Sequence, residues 1–502
     1  MTMAKQKIVM KYGGTSVGKF PENIKDIVES YSKHYSPVVV CSARSTDTKA
    51  EGTTTRLLTA ADEALTKGDY ISIIEAIRDD HVNTSKDKIR NNSALLDELL
   101  AAINKECDLL EKFLSASQVI DEISPRTLDS IMSVGEKLSC MFMAAVMNDH
   151  GLPAHYVDLS RVIPIGYDVS KTGLDKEFYS YLTAQLVEAI KAAGDKIPVV
   201  TGFFGVVPGG LLNGVGRGYT DLCAALIAVG LQADELQIWK EVDGIFTADP
   251  RKVPTARLID RITPEEASEL TYYGSEVIHP FTMEQVIRAR IPIRIKNVMN
   301  PKGNGTIIFP DFESRAGTET PLHPPIAVSE LSSPLLAAIS SQPKMKLPTA
   351  VTTKQNIIVL NVHSNKKNQS HGFLARVFDL LDKRKLVVDL ISTSEVHVSM
   401  ALHSNLSEAS FKEALVELRK YGSVDVTRKL CIVSLVGKEM KQLVGIAGKM
   451  FSTLAEANIN IEMISQGASE INISCVVDET DALKALNVLH QRLLVPVMTT
   501  ST

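Results

Sequence analysis

The sequence predicts an α/β domain built on a mostly parallel sheet flanked by helices, followed by two small α+β modules of the ferredoxin-like, split βαβ kind. Three observations lead there. Short, continuously apolar runs alternate with amphipathic helical stretches up to about residue 310. A proline-rich stretch then interrupts the pattern. Beyond it, one set of residues recurs at an offset of 73 positions. Strands that read as unbroken apolar runs are buried on both faces, which is the signature of a parallel sheet covered on two sides.

The elements follow in order. Ile8-Val9-Met10-Lys11-Tyr12 is β-prone, and Gly13-Gly14-Thr15-Ser16-Val17-Gly18 breaks it. Pro21 opens a helix whose Ile24, Ile27, Val28 and Tyr31 share one face. Val38-Val39-Val40-Cys41 is a doubly buried strand, and residues 56–120 are rich in helix formers. Another helix runs through Ile131, Val134, Leu138, Phe142 and Ala145 to end near Gly151. Ile197-Pro198-Val199-Val200 is a strand leading into a stretch from Gly202 to Gly218, with glycines dense about Gly209-Gly210 and Gly214-Val215-Gly216, read as a loop or hairpin. Thr220-Asp221 then starts an apolar helix.

From Pro310 to Pro348 the chain holds seven prolines, a linker composition. In the repeat, Gly372-Phe373-Leu374-Ala375-Arg376-Val377-Phe378 matches Gly445-Ile446-Ala447-Gly448-Lys449-Met450-Phe451, and Asp389 matches Glu462. Each copy reads strand, loop, helix, strand, strand, helix, a unit too small to be stable alone, so the two are expected to pair. The predicted organisation is therefore residues 6–310, a linker at 311–350, and copies at 351–426 and 427–502.

At 44% hydrophobic and 23% charged residues with a net charge of -5, the composition is that of a globular protein without a footprint for nucleic acid or anionic lipid. Six scattered cysteines argue against a zinc site or disulfide framework and for a reducing compartment. No signal or transit pattern opens the sequence, and no apolar run is read as a membrane span, so the cytoplasm is the expected location.

Three constellations carry chemistry. In Lys11-Tyr12-Gly13-Gly14, glycines let backbone N–H groups approach an anion and the lysine can sit on phosphate oxygens; by itself, such a turn is more often only a tight strand–helix connection. In Arg217-Gly218-Tyr219-Thr220-Asp221, a guanidinium precedes a helix start, which suits a small carboxylate, while Asp221 orients Lys11, holds a magnesium ion, or simply caps the helix. In Trp239-Lys240-Glu241-Val242-Asp243-Gly244-Ile245-Phe246-Thr247-Ala248-Asp249-Pro250-Arg251, a strand ends in a charged turn, where open α/β sheets bind nucleotides.

KYGGTSVG, GRGYTD and VDGIFTADPR, in this order and spacing, resemble the amino-acid kinase family and specifically its aspartate kinases. SVGEKLS, YYGSEVIHP and PIRIKNVMNPKGNGTII support the likeness, and HGFLARVF with VDLISTSE resembles paired ACT modules. The resemblance covers nearly the whole chain except the linker, and CSARSTDTKAEGTTTRLL is most similar to the fungal branch.

The resemblance implies the amino-acid kinase fold and roles for individual residues. Lys11, Gly13 and Gly14 would hold the β- and γ-phosphates of ATP, with Asp221 pairing to Lys11 as the catalytic couple. Thr54, Glu136, Arg217 and Thr220 would bind L-aspartate, Glu136 facing its ammonium and Arg217 its α-carboxylate. Lys240, Glu241, Phe246, Arg251, Lys296 and Asn297 would lie around the nucleotide. Lys240-Glu241 stands where Thr-Asp is common, and Glu276 where a lysine often contacts ATP, so the adenine and ribose contacts are the least defined. Gly372, Phe373, Leu374, Val388, Asp389, Ser394 and Glu395, with Gln466 in the second copy, would bind an amino-acid effector, threonine by the fungal likeness.

An aspartate side chain, with a pKa near 3.9, is already an anionic nucleophile, so no general base is expected. Mg²⁺ is expected with ATP, without a protein side chain assigned as its direct ligand. The competing readings are a kinase for glutamate or N-acetylglutamate, which Glu136 disfavours in the acetylated case, and a non-catalytic amino-acid sensor. A fused homoserine dehydrogenase is not expected. A homodimer or larger assembly is.

Overall fold

The structure is a computed structural model that describes residues 5–45, 52–164, 176–205, 210–211, 218–273, 278, 280–309, 347–364, 372–394, 396–404, 407–467 and 471–495. The chain divides into two compact units. The first comprises Met1–Ile245 and Ile278–Pro324, and the second Phe246–Val277 and Pro325–Thr502.

The first unit starts with β1 (Gln6–Tyr12), a short helix α1 (Gly14–Lys19), α2 (Pro21–Ser32) and β2 (Tyr35–Cys41). The last five residues of β1 and of β2 are buried without alternation, as expected for strands covered on both faces. Helices α3 (Thr53–Thr66), α4 (Tyr70–Lys88), α5 (Ser93–Ile120) and α6 (Pro125–Asp149) follow. Asn92 caps α5 by accepting from Leu95 N–H at 3.0 Å, and Ser124 caps α6 ahead of Pro125 at its first position. Asp149 accepts N–H bonds from Arg90, Asn91 and Asn92 and so holds the α4–α5 turn.

Helix α6 is, among the described residues, the helix long and apolar enough to cross a membrane, a candidate that sequence reading passes over. It is almost entirely buried in the core with α2 to α5, and Glu136 and Lys137 lie at its middle. Then come β3 (Ala154–Val157), α7 (Lys176–Lys191), β4 (Ile197–Thr201), α8 (Tyr219–Leu231) and β5 (Glu235–Lys240).

After Ile245 the chain enters the second unit through β6 (Arg261–Ile262) and α9 (Pro264–Tyr272), which opens with a reciprocal Thr263–Glu266 capping box. It returns for α10 (Pro280–Arg288), β7 (Ile293–Asn297) and β8 (Thr306–Ile308). Within the first unit the strand order is β3-β4-β2-β1-β5-β7-β8. All neighbours are parallel except β7 with β8. The chain leaves β1 first to one side, through β2, and returns on the other side as β5. The carboxyl ends of β1 and β5 therefore flank the point where the winding reverses, which is where open α/β sheets bind ligands.

The second unit holds β9 (Ala350–Ser364), α11 (Phe373–Lys383), β10 (Val388–Thr393), β11 (His397–His403), α12 (Glu408–Leu418), β12 (Gly422–Val436), α13 (Ile446–Glu456), β13 (Met463–Ser465), β14 (Asn472–Asp478) and α14 (Ala482–Leu489). Its sheet is antiparallel with the order β10-β11-β9-β12-β14-β13. The helix, strand, strand, helix core of each copy is as the repeat predicts. The copies, however, share their central strands. The 15-residue β9 and the 15-residue β12 pair along their lengths, Gly422 with Ser364 at one end and Val436 with Ala350 at the other. The first copy uses the end of β9 and the start of β12, and the second uses the other halves. Residues 426 and 427 thus lie inside one continuous strand.

Candidate active site

Lys11 is the sixth residue of β1, and its Nζ lies 2.7 Å from Oδ1 of Asp221 in the first turn of α8. Both side chains are largely buried, at 10% and 17% exposure, so water screens the pair weakly. Gly218 stands at the N-cap of α8 without a side-chain cap bond.

Glu136 of α6 lies near enough to Lys11 to feel its charge. It is 1% exposed. Thr220 Oγ1 donates to its Oε1 at 2.7 Å, while its Oε2 is buried without a hydrogen-bond partner among the described residues. Burial pushes the carboxyl up to about 7, against the opposing pull of the Thr220 hydroxyl, the Phe203 backbone N–H, the Lys11 charge and the Tyr219 hydroxyl. A buried, unpaired carboxylate oxygen is costly unless something positive arrives to meet it.

Close approach explains several glycines here. A Cβ on Gly14 would lie 2.1 Å from the Ala43 carbonyl oxygen, and one on Gly202 would lie 2.2 Å from Thr220 Cγ2. Gly135, beside Glu136, packs on Ala43 and on Thr53 of α3. Gly13 differs: among the described residues nothing lies within 4 Å of a Cβ built there, which leaves room for a ligand. Ser16 Oγ donates to Glu241 Oε1 at 2.7 Å, tying the glycine turn to the end of β5.

Other predicted positions fall as follows. Thr54 is half-buried at the start of α3, whose first residue, Thr53, is the buried one. Asn297 Nδ2 donates to Asp243 Oδ1 at 3.1 Å, and the half-buried Lys240 accepts at its carbonyl from Val298 N–H. Lys296 lies on the opposite face of the sheet from Lys11. The register pairs Lys11 with Ile238 and Ile238 with Ile295, whereas Tyr12 pairs with Trp239 and Trp239 with Lys296. Its Nζ is 3.1 Å from the Tyr31 hydroxyl and 5.1 Å from the Trp239 ring centre, and burial lowers its pKa. Phe246 and Arg251 belong to the second unit, where the Arg251 fork binds Asp249 at 3.0 Å and stays 87% exposed. Arg217 and Glu276 lie outside the described residues.

In the second unit, Gly372 caps α11 with φ +76, Phe373 is buried and Leu374 is exposed. Asp389, next to the half-buried Val388, pairs with Lys354 Nζ at 2.7 Å, with its side chain 4% exposed and its charge close enough to Tyr272 to help raise that hydroxyl's pKa. Ser394 N–H donates to the His397 carbonyl, and Glu395 lies outside the described residues. Gln466 lines a cavity of about 470 Å³ with Lys441, Gly445 and Asn472.

The amino acid kinase family model matches residues 6–297, and an ACT domain model matches residues 433–493. The chain belongs to the amino acid kinase family. Within it the chain is of the aspartokinase type, a phosphotransferase whose acceptor is a carboxyl group. The aspartokinase of Candida albicans is 61% identical over 97% of this chain and 90% of its own length. That of Saccharomyces cerevisiae is 60% identical over 97% and 92%. Among solved structures, Escherichia coli aspartokinase III in complex with aspartate and ADP superposes with a TM-score of 0.73 at 26% identity, covering 98% of this chain and 100% of that one. The same enzyme in complex with lysine and aspartate gives 0.72 at 28% identity, covering 97% and 99%.

Proposed function

We propose that this enzyme transfers the γ-phosphoryl group of ATP to the side-chain carboxylate of L-aspartate, forming 4-phospho-L-aspartate and ADP. One observation carries the substrate assignment. Among the described residues the buried Oε2 of Glu136 has no hydrogen-bond partner, the Lys11 charge acts on the same carboxyl, and an α-ammonium group would supply a donor there. An N-acylated amino acid has no such cation, so the acetylated alternative fits poorly.

In this reading a carboxylate oxygen of aspartate forms the new bond to the γ-phosphorus as the bond to the β,γ-bridging oxygen breaks. ADP leaves with the electron pair, and no proton need be removed from the nucleophile at neutral pH. The obstacle is repulsion between two anions. Lys11, fixed by Asp221, places positive charge where the phosphoryl group moves, and the space beside Gly13 admits the phosphate chain to the backbone. Mg²⁺ brought in with the nucleotide would supply further positive charge. The ion would be held chiefly by the nucleotide, with Asp221 as the carboxylate at hand.

The second unit is proposed to bind a regulatory amino acid at Asp389 or at the cavity beside Gln466. Threonine is the effector this reading favours, and the threonine and methionine branch the pathway served. The enzyme is further proposed to act in the cytoplasm as a homo-oligomer. The test is ADP release with aspartate, glutamate and N-acetylglutamate as acceptors, repeated with threonine, lysine and methionine added singly. Turnover of glutamate in preference to aspartate overturns the substrate assignment, and inhibition by lysine alone overturns the effector.

A further inference from the structure

We propose that Arg44, ion-paired with Asp80, is a positioning residue for the aspartate half of the site. The inference rests on the aspartate assignment above. Arg44 is 3% exposed, an expensive place for a guanidinium. Its Nη2 pairs with Asp80 of α4, and its guanidinium carbon sits 5.9 Å from the centre of the Phe142 ring on α6. The backbone of the same residue is equally committed. Its N–H donates to Ser139 Oγ of α6 at 2.8 Å, and its carbonyl accepts from the N–H of Thr53, the first residue of α3, at 3.0 Å. One residue thus joins the loop after β2 to α3, α4 and α6.

Two of those helices bring the proposed aspartate-binding groups. Glu136 lies three positions before Ser139 on α6, and Thr54 follows Thr53 on α3. The residue after Asp80 completes the connection: His81 is 1% exposed, and its Nε2 lies 3.4 Å from Thr53 Oγ1. Asp80 and His81 therefore grip the loop and the start of α3 from one turn of α4. The glycine turn of the phosphate side has bonds that do not use the Arg44 guanidinium: Ser45 N–H donates to the Gly14 carbonyl, Lys11 pairs with Asp221, and Ser16 Oγ donates to Glu241. Loss of the Arg44 side chain should therefore displace Thr53 and Thr54 relative to Glu136 while leaving the nucleotide side largely in place.

Arg44→Met in the full-length enzyme tests this by steady-state kinetics and thermal melting. The expected result is a KM for aspartate raised about tenfold or more, with kcat and the KM for ATP within about threefold. Arg44→Lys, which keeps the charge without the planar fork, should recover part of the loss. A folded Arg44→Met enzyme with the wild-type aspartate KM overturns the proposal, as do KM values for ATP and aspartate that rise together. If Arg44→Met does not fold, Asp80→Asn probes the pair from its half-exposed side. An unchanged aspartate KM in a folded Asp80→Asn enzyme overturns the proposal too. Failure of wild-type enzyme to use aspartate would instead overturn the substrate assignment.

Discussion

If Glu136 receives the substrate ammonium, aspartate binding must report the ionisation of Glu136. Its carboxyl lies at about 7, raised from an ordinary 4.5 chiefly by burial. At pH 6 most free enzyme molecules therefore carry a protonated Glu136, and ionising it for an ammonium costs on the order of 1 kcal/mol. The affinity for aspartate should fall about tenfold between pH 8 and pH 6, with release of close to one proton per aspartate bound at pH 6. Glu136→Gln keeps the shape and can still accept from Thr220, but loses a charge-assisted bond of about 1.5–3 kcal/mol, roughly ten- to a hundredfold in KM. The variant should also lose both the pH dependence and the proton release. Calorimetry in two buffers of different ionisation enthalpy measures the proton directly. The same shift has a sign in stability. A carboxyl with a raised folded-state pKa favours the fold fully below its unfolded value, and that advantage disappears as pH rises from about 4.5 through 7, a change of about 3 kcal/mol that the Gln variant should not show. A wild-type aspartate affinity that is flat from pH 6 to 8, or a Gln variant that keeps the slope, would refute the assignment.

Three further outcomes are expected. Lys11→Ala should lower kcat by roughly a hundredfold or more, the scale of one lost electrostatic contact to the transition state, and aspartate affinity should change less; single-turnover kinetics decide it. Gly14→Ala should destabilise the first unit, because its Cβ would meet the Ala43 carbonyl at 2.1 Å, whereas Gly13→Ala should fold normally and raise the KM for ATP. Thermal melts and ATP titrations of the two variants separate these effects. Asp389→Ala should leave uninhibited kcat nearly unchanged while making threonine a poorer inhibitor. Wild-type inhibition in that variant would direct the effector to the cavity beside Gln466.

Much of the site was legible because it rests on local signals. Lys11 before a glycine turn and Thr220-Asp221 at a helix start follow from short stretches of chain, Glu136 follows from the family resemblance carried by SVGEKLS, and the structure brings Lys11, Glu136, Thr220 and Asp221 together. Arg44 and His81 escaped notice. A single arginine in a loop reads as solvated, and only Asp80, Phe142 and Ser139, contributed by two separate helices, show that it is buried. Lys296 alternates with Ile293 and Ile295 along β7, but only the register of β7 on β5 and of β5 on β1 puts it on the face opposite Lys11.

The sequence by itself determined the strand and helix order, the repeat and the residue types of the site, because hydrophobic period, glycine turns and capping residues act over a few positions. It did not determine that β9 and β12 each serve both copies, or that Phe246–Val277 forms a compact unit with residues far along the chain. Those outcomes depend on which apolar surfaces and strand edges find each other across long separations. Only the tertiary structure decides that, since the same local pattern permits more than one pairing until side chains close-pack.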